Sequence, residues 1–158
     1  MTKVTAIAIT VFLIILVLIV GNMGYASEHA EVLRIIKTHS AKGAVPAKEL
    51  AKEIIFVSSL YKIDPIIYAK IIMVESRGRA NAFNPKSKDY GIAQINHRVA
   101  ANLGVTEGCL KDWRCNLIVG ATILRKKPRP CGYNLGYRIK TRMKLCLQYE
   151  QKLANLDL

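Results

Sequence analysis

From Asp64 to Ser76 the chain reads Asp-Pro-Ile-Ile-Tyr-Ala-Lys-Ile-Ile-Met-Val-Glu-Ser, an apolar run with a chemically marked start. Asp64 is a good N-cap, and Pro65 suits the first helical position, where a missing N–H costs nothing. Gly78 stops the helix just beyond Ser76. The spacing therefore predicts a helix that delivers one acid, Glu75, at its C-terminal end. There the helix dipole disfavours an anion, and burial beside Ile71, Ile72 and Val74 would disfavour it further. Both effects raise a carboxyl pKa, which suits a general acid at neutral pH. The competing reading is a surface Glu at a frayed helix end.

The residues after Glu75 favour the first reading. Glu75-Ser76 is followed by Asn84-Pro85-Lys86-Ser87, then by Gly91-Ile92-Ala93-Gln94-Ile95-Asn96, and much later by Tyr133-Asn134-Leu135-Gly136. With Asp64-Pro65 and Tyr68-Ala69 upstream, this order and spacing resembles the lytic transglycosylases. These are peptidoglycan-cleaving enzymes with a goose-lysozyme-like fold. The resemblance runs from about Leu60 to about Gly136, roughly half of the chain. It departs from the family pattern at Arg77-Gly78-Arg79, where a small residue and then an aromatic one are usual. It departs again around Tyr133, which lacks the common preceding Ala.

The first stretch stands apart from this domain. Met1-Thr2-Lys3 is a short basic start, and Val4 to Val20 is an uncharged run of 17 residues. Gly24 and Ala26 put small residues where a signal peptidase reads. Residues 1–26 are thus expected to be a secretory signal peptide cut after Ala26, or an uncleaved membrane anchor using residues 4–20. Residues 27–158 form the expected enzyme domain. Export makes the protein periplasmic or extracellular.

All four cysteines, Cys109, Cys115, Cys131 and Cys146, lie beyond the leader. An even count in an exported chain suggests disulfides, and four cysteines allow three pairings. Cys109–Cys115 and Cys131–Cys146 are favoured because each would tie a loop to a neighbouring helix. The spacing does not match a zinc site, and His29, His39 and His97 are scattered, so no metal and no cofactor is expected. The net charge is +13, and Lys3 is the only basic residue in the leader. Such a basic exported chain suits an anionic cell wall or lipid surface; export and the lack of a nucleic-acid-binding signature argue against nucleic acid.

The periodicity predicts a mostly helical domain, and the resemblance implies a lysozyme-like α+β fold with a catalytic cleft. A short amphipathic helix is expected over 28–38 and a second opening at Pro46. A polar loop follows over 77–90, with room for a small β-hairpin. Gly91 to Leu103 has a helical pattern, Asp112 caps a helix through Leu124, and a last helix is expected over 137–153.

The resemblance implies a single catalytic carboxyl, Glu75. It would protonate the glycosidic oxygen between MurNAc and GlcNAc, then deprotonate the C6 hydroxyl so that a 1,6-anhydro ring closes. Substrate-binding roles fall by resemblance on Ser76, Gly91, Gln94, Asn96, Tyr133 and Asn134. Ser76 would hold the helix end. Gly91 would let the backbone approach the sugar, and Gln94 could bind an N-acetyl group or position Glu75. Tyr133 would orient the Glu75 carboxyl. Trp113 reads better as a core residue than as a sugar platform. A goose-type muramidase would need a second carboxylate to activate water, and Asp89 is the acid nearest the motifs. The remaining alternatives are a non-catalytic wall-binding component and a membrane-active protein. Small domains of this kind open the wall locally in phage, conjugation or secretion machinery.

Overall fold

A computed structural model of the protein describes residues 3–126 and 143–156. Among the described residues there are seven helices and a small sheet: α1 Lys3–His39, α2 Ala47–Tyr61, α3 Pro65–Glu75, α4 His97–Asn102, α5 Glu107–Lys111, α6 Trp113–Lys126 and α7 Met143–Ala154. The expected mostly-α, lysozyme-like architecture with an apolar N-terminal helix is what the chain adopts.

The middle of the domain is α3. Its side chains are apolar on all sides, which suits a helix surrounded by others, and Tyr68, Ala69, Ile71 and Ile72 are fully buried. It meets α1, α2 and α7. The Asp64 side chain accepts from the backbone N–H groups of Ile66 (2.8 Å) and Ile67 (3.1 Å), the cap foreseen from the sequence. The buried Tyr68 hydroxyl donates to the Leu117 carbonyl, tying α3 to α6.

Two expectations fail. The helix over 28–38 is not separate; it is the end of the 37-residue α1, continuous with the leader. Between Val20 and Glu28 no Pro interrupts the chain, and the glycines there weaken a helix by only about 1 kcal/mol each without ending it. Ser27 Oγ bonds back to the Gly24 carbonyl at 2.8 Å. The last turns of α1 join the core, through Val32, Ile35 and Ile36, whereas Ile9 through Ile19 include a row of exposed large apolar side chains. By length and composition α1 can cross a membrane.

Gly91–Leu103 is likewise not one helix. It divides into turns over 91–94, a strand at Ile95–Asn96, and the short α4. Gly91 (φ 74°) and Gln94 (φ 50°) are left-handed, and the Ala93 N–H donates to Asn116 Oδ1. Asn96 caps α4 instead, accepting from Arg98 N at 3.0 Å.

The hairpin expected within 77–90 is present. Strands β1 (Phe83–Asn84), β2 (Asp89–Tyr90) and β3 (Ile95–Asn96) form an antiparallel sheet in that order, with Phe83 opposite Tyr90 and Asp89 opposite Asn96. Asn84 and Pro85 shape the turn, with Asn84 Oδ1 accepting from Lys86 N at 3.1 Å. Asp112 caps α6 through a 2.7 Å bond from Cys115 N. The Cys109–Cys115 disulfide joins α5 to α6. Trp113 is partly buried against the core. Cys131 and the start of the last helix lie outside the described residues.

Candidate active site

Glu75 is the last residue of α3, as its sequence position required. The turn beyond it is held firmly. Ser76 is buried; its Oγ donates to the Ile72 carbonyl (3.3 Å) and accepts from Gly78 N (3.1 Å). Gly78 has φ 78°, and a Cβ there would sit 3.2 Å from the Ala44 Cβ, so glycine serves both backbone and space. The Arg77 carbonyl accepts from Ala41 N (2.9 Å), and Val45 N donates to the Gly78 carbonyl (3.0 Å).

Arg77 and Arg79, the departure from the family pattern, act on two helix ends, that of α1 and that of α3. Arg77 Nε donates to the His39 carbonyl (3.2 Å) and Arg79 Nε to the Ser76 carbonyl (3.0 Å). Cations and donors suit the C-terminal end of a helix.

A cleft of about 550 Å³ opens in front of Glu75, lined also by Gln94, Gly43 and residues 79–85. Glu75 and Gln94, separate motifs in the sequence, are therefore brought to one cavity. Gln94 is fixed by two bonds to the Gly91 carbonyl, from its backbone N (3.1 Å) and from Nε2 (2.9 Å). An adjoining hollow of about 440 Å³ shares Ala80, Asn81, Ala82 and Phe83 with the cleft and is bounded by Tyr90 and Gly91. The Phe83 and Tyr90 rings meet there with centroids 4.7 Å apart.

Gly91 itself is tightly packed. A Cβ would run into the Asn116 carboxamide and stand 2.8 Å from the Leu110 carbonyl oxygen. The close approach that its missing side chain permits is to Asn116. Asn96 lies in a third hollow, away from the Glu75 cleft lining. Its Nδ2 donates to the Ser87 carbonyl (2.6 Å) and Asp89 Oδ1 (2.8 Å). Asp89 also accepts from Ser87 Oγ at 2.5 Å and is not among the residues lining the cleft. Tyr133 and Asn134 lie outside the described residues.

Two residues at the site escaped the sequence reading. Tyr149 of α7 donates its hydroxyl to Glu75 Oε1 at 2.8 Å. Burial, then the facing Glu75 charge and the hydrogen bond to it, hold this phenol far above its ordinary range, so it remains a donor. Leu145, Tyr149 and Leu153 share helical spacing, and a tyrosine on a buried face needs a polar partner. That was the available signal. Asn116, fully buried on α6, accepts from Ala93 N (2.8 Å) and donates to the Tyr90 (2.9 Å) and Leu110 (3.0 Å) carbonyls. It thereby fixes the loop that carries Gln94. An Asn on an otherwise apolar helix face was its signal.

No curated protein sequence matches the chain. The family model described as the Transglycosylase SLT domain matches residues 53–141, a span that holds Glu75, Gln94 and Asn116, and that Tyr149 lies beyond. With more than half of its length matched, the chain belongs to the SLT transglycosylase domain family, whose members act on the glycosidic bonds of peptidoglycan.

Proposed function

We propose that the protein is an exported lytic transglycosylase in which Glu75 is the sole acid and base. The observation that carries this reading is the joint placement of Glu75 and Gln94 on one cleft, with the Tyr149 hydroxyl on Glu75 Oε1. A carboxyl oriented by a fixed donor is ready to protonate the glycosidic oxygen between MurNAc and GlcNAc. The C1–O bond then breaks as oxocarbenium character develops, assisted by the substrate's N-acetyl group. The Glu75 carboxylate next takes the proton of the C6 hydroxyl, and that oxygen closes onto C1. One proton leaves Glu75 and one returns, and no water is consumed.

Hydrolysis would need a second carboxylate across the cleft to direct water. Asp89, the candidate for it, is engaged by Ser87 and Asn96 in the hairpin, which favours the single-acid mechanism. The apolar half of α1 serves export, as a signal removed after Ala26 or as a retained anchor. The net charge of +13 concentrates the enzyme on an anionic wall. Such a small basic enzyme suits local wall opening in phage, conjugation or secretion machinery. Product-end analysis of digested peptidoglycan tests the proposal, since anhydro ends and reducing ends separate the two chemistries.

A further inference from the structure

The tip of the β1–β2 hairpin divides two cavities. Asn84 and Pro85 line the Glu75 cleft, and the next residues, Lys86, Ser87 and Lys88, line a separate hollow of about 260 Å³ with Asn96, His97 and Arg98. Among the described residues no acid lines this hollow. The nearby Asp89 carboxylate already accepts from Ser87 Oγ and Asn96 Nδ2. Lys86, Lys88 and Arg98 are exposed, and none makes an ion pair among the described residues. His97 adds a buried Nδ1 with no hydrogen-bond partner among the described residues. Three cations with no ion pair among the described residues, set around one cavity, make a site for an anion.

We infer that this hollow binds a carboxylate of the peptide stems that branch from the glycan strand. The inference rests on the reading that the Glu75 cleft holds that strand. In a stem-bearing strand the lactyl carboxyl of each MurNAc is tied up as an amide, so the sugars offer no charge to three cations; the stems carry carboxylates. A strand in the cleft has its stems branching beside it, and the hairpin tip stands between cleft and hollow. The site would therefore grip stem-bearing substrate and ignore uncharged glycan. Exposed charges attract modestly and are screened by salt, so the grip amounts to about tenfold in affinity at low ionic strength.

The test is equilibrium binding by the full chain in neutral detergent, with Glu75→Gln preventing turnover. The probes are soluble peptidoglycan strands and the same strands after an amidase has removed their stems and the freed lactyl carboxyls have been capped as methylamides. Lys86→Gln, Lys88→Gln and Arg98→Gln are added together. A charge-matched control carries Lys48→Gln, Lys52→Gln and Lys62→Gln. The expected result is about tenfold weaker binding of stem-bearing strands by the site variant alone. Stripped strands change less than twofold, and the difference collapses in high salt. Equal losses for site and control variants, equal losses on both strands, or no loss would overturn the inference. So would competition by phosphatidylglycerol vesicles but not by free stem peptide. Circular dichroism verifies folding, and single Lys86→Gln and Arg98→Gln variants give the same comparison if the triple variant unfolds. Cleavage of both strands by the unsubstituted chain is measured separately. Its absence would refute the enzyme reading while leaving the binding comparison intact.

Discussion

The hydroxyl of Tyr149, on the last helix, donates a 2.8 Å hydrogen bond to Oε1 of Glu75, the residue that ends the central helix 74 positions earlier. Tyr149 is 6% exposed, so the bond is made away from bulk water, where losing a partner matters most. It ties the orientation of the candidate acid to the packing of α7.

Tyr149→Phe should therefore lower kcat by about tenfold to a hundredfold, with little change in KM, because an orienting contact acts on the chemical step more than on binding. Steady-state turnover of soluble peptidoglycan strands measures the split. A rise in KM at unchanged kcat would assign Tyr149 to substrate binding instead.

Alkaline stability should report the same residue. Burial holds both the Tyr68 and Tyr149 phenols well above their ordinary value of 10.0. In the unfolded chain each phenol loses its proton near pH 10 while the folded form keeps it. The native state then binds more protons, and stability falls as pH rises. The contribution is fully present below pH 10 and declines above it by about 1.4 kcal/mol per pH unit for each phenol. Denaturant unfolding between pH 9 and 11 should show a shallower decline in Tyr149→Phe than in the unsubstituted chain. Identical slopes would contradict the burial of this hydroxyl.

Asn116→Leu leaves the buried Ala93 N–H and the Tyr90 and Leu110 carbonyls without their partner. A cost of about 3 kcal/mol or more is expected from orphaning several groups at once. Gly91→Ala should also destabilise, by about 2–4 kcal/mol, from a left-handed backbone and an overlap with Asn116 and Leu110. Chemical denaturation checks both, and a change under 1 kcal/mol in either would show that the loop has another support.

The Cys109–Cys115 bridge closes a short loop, with a sequence separation of 6. Replacing both cysteines by Ser should cost about 2 kcal/mol through the entropy returned to the unfolded chain. Thermal melting gives the value, and an unchanged melting temperature would mean that α5 and α6 are held by packing alone.

The features legible in the sequence are those decided by local chemistry. Asp64 and Pro65 start α3, Asp112 caps α6, and Asn84-Pro85 turns the hairpin, all within three residues of the groups they act on. The place of Glu75 at the end of α3 was legible for the same reason. Gly91–Leu103 misled because its apolar spacing imitates a helix, whereas a bond from Ala93 to Asn116, 23 residues away, sets its path. Tyr149 was hidden by a larger separation still. The join of the 28–38 helix to the apolar N-terminal stretch was not legible because Gly24 and Ala26 read as a cleavage boundary, although nothing there ends a helix.

The most direct test of the account is mass spectrometry of purified peptidoglycan digested by the full chain, beside Glu75→Gln. The account predicts fragments ending in anhydromuramic acid from the unsubstituted protein and none from the variant, with both shown to be folded. Reducing muramic ends, or anhydro ends that persist in Glu75→Gln, would contradict it.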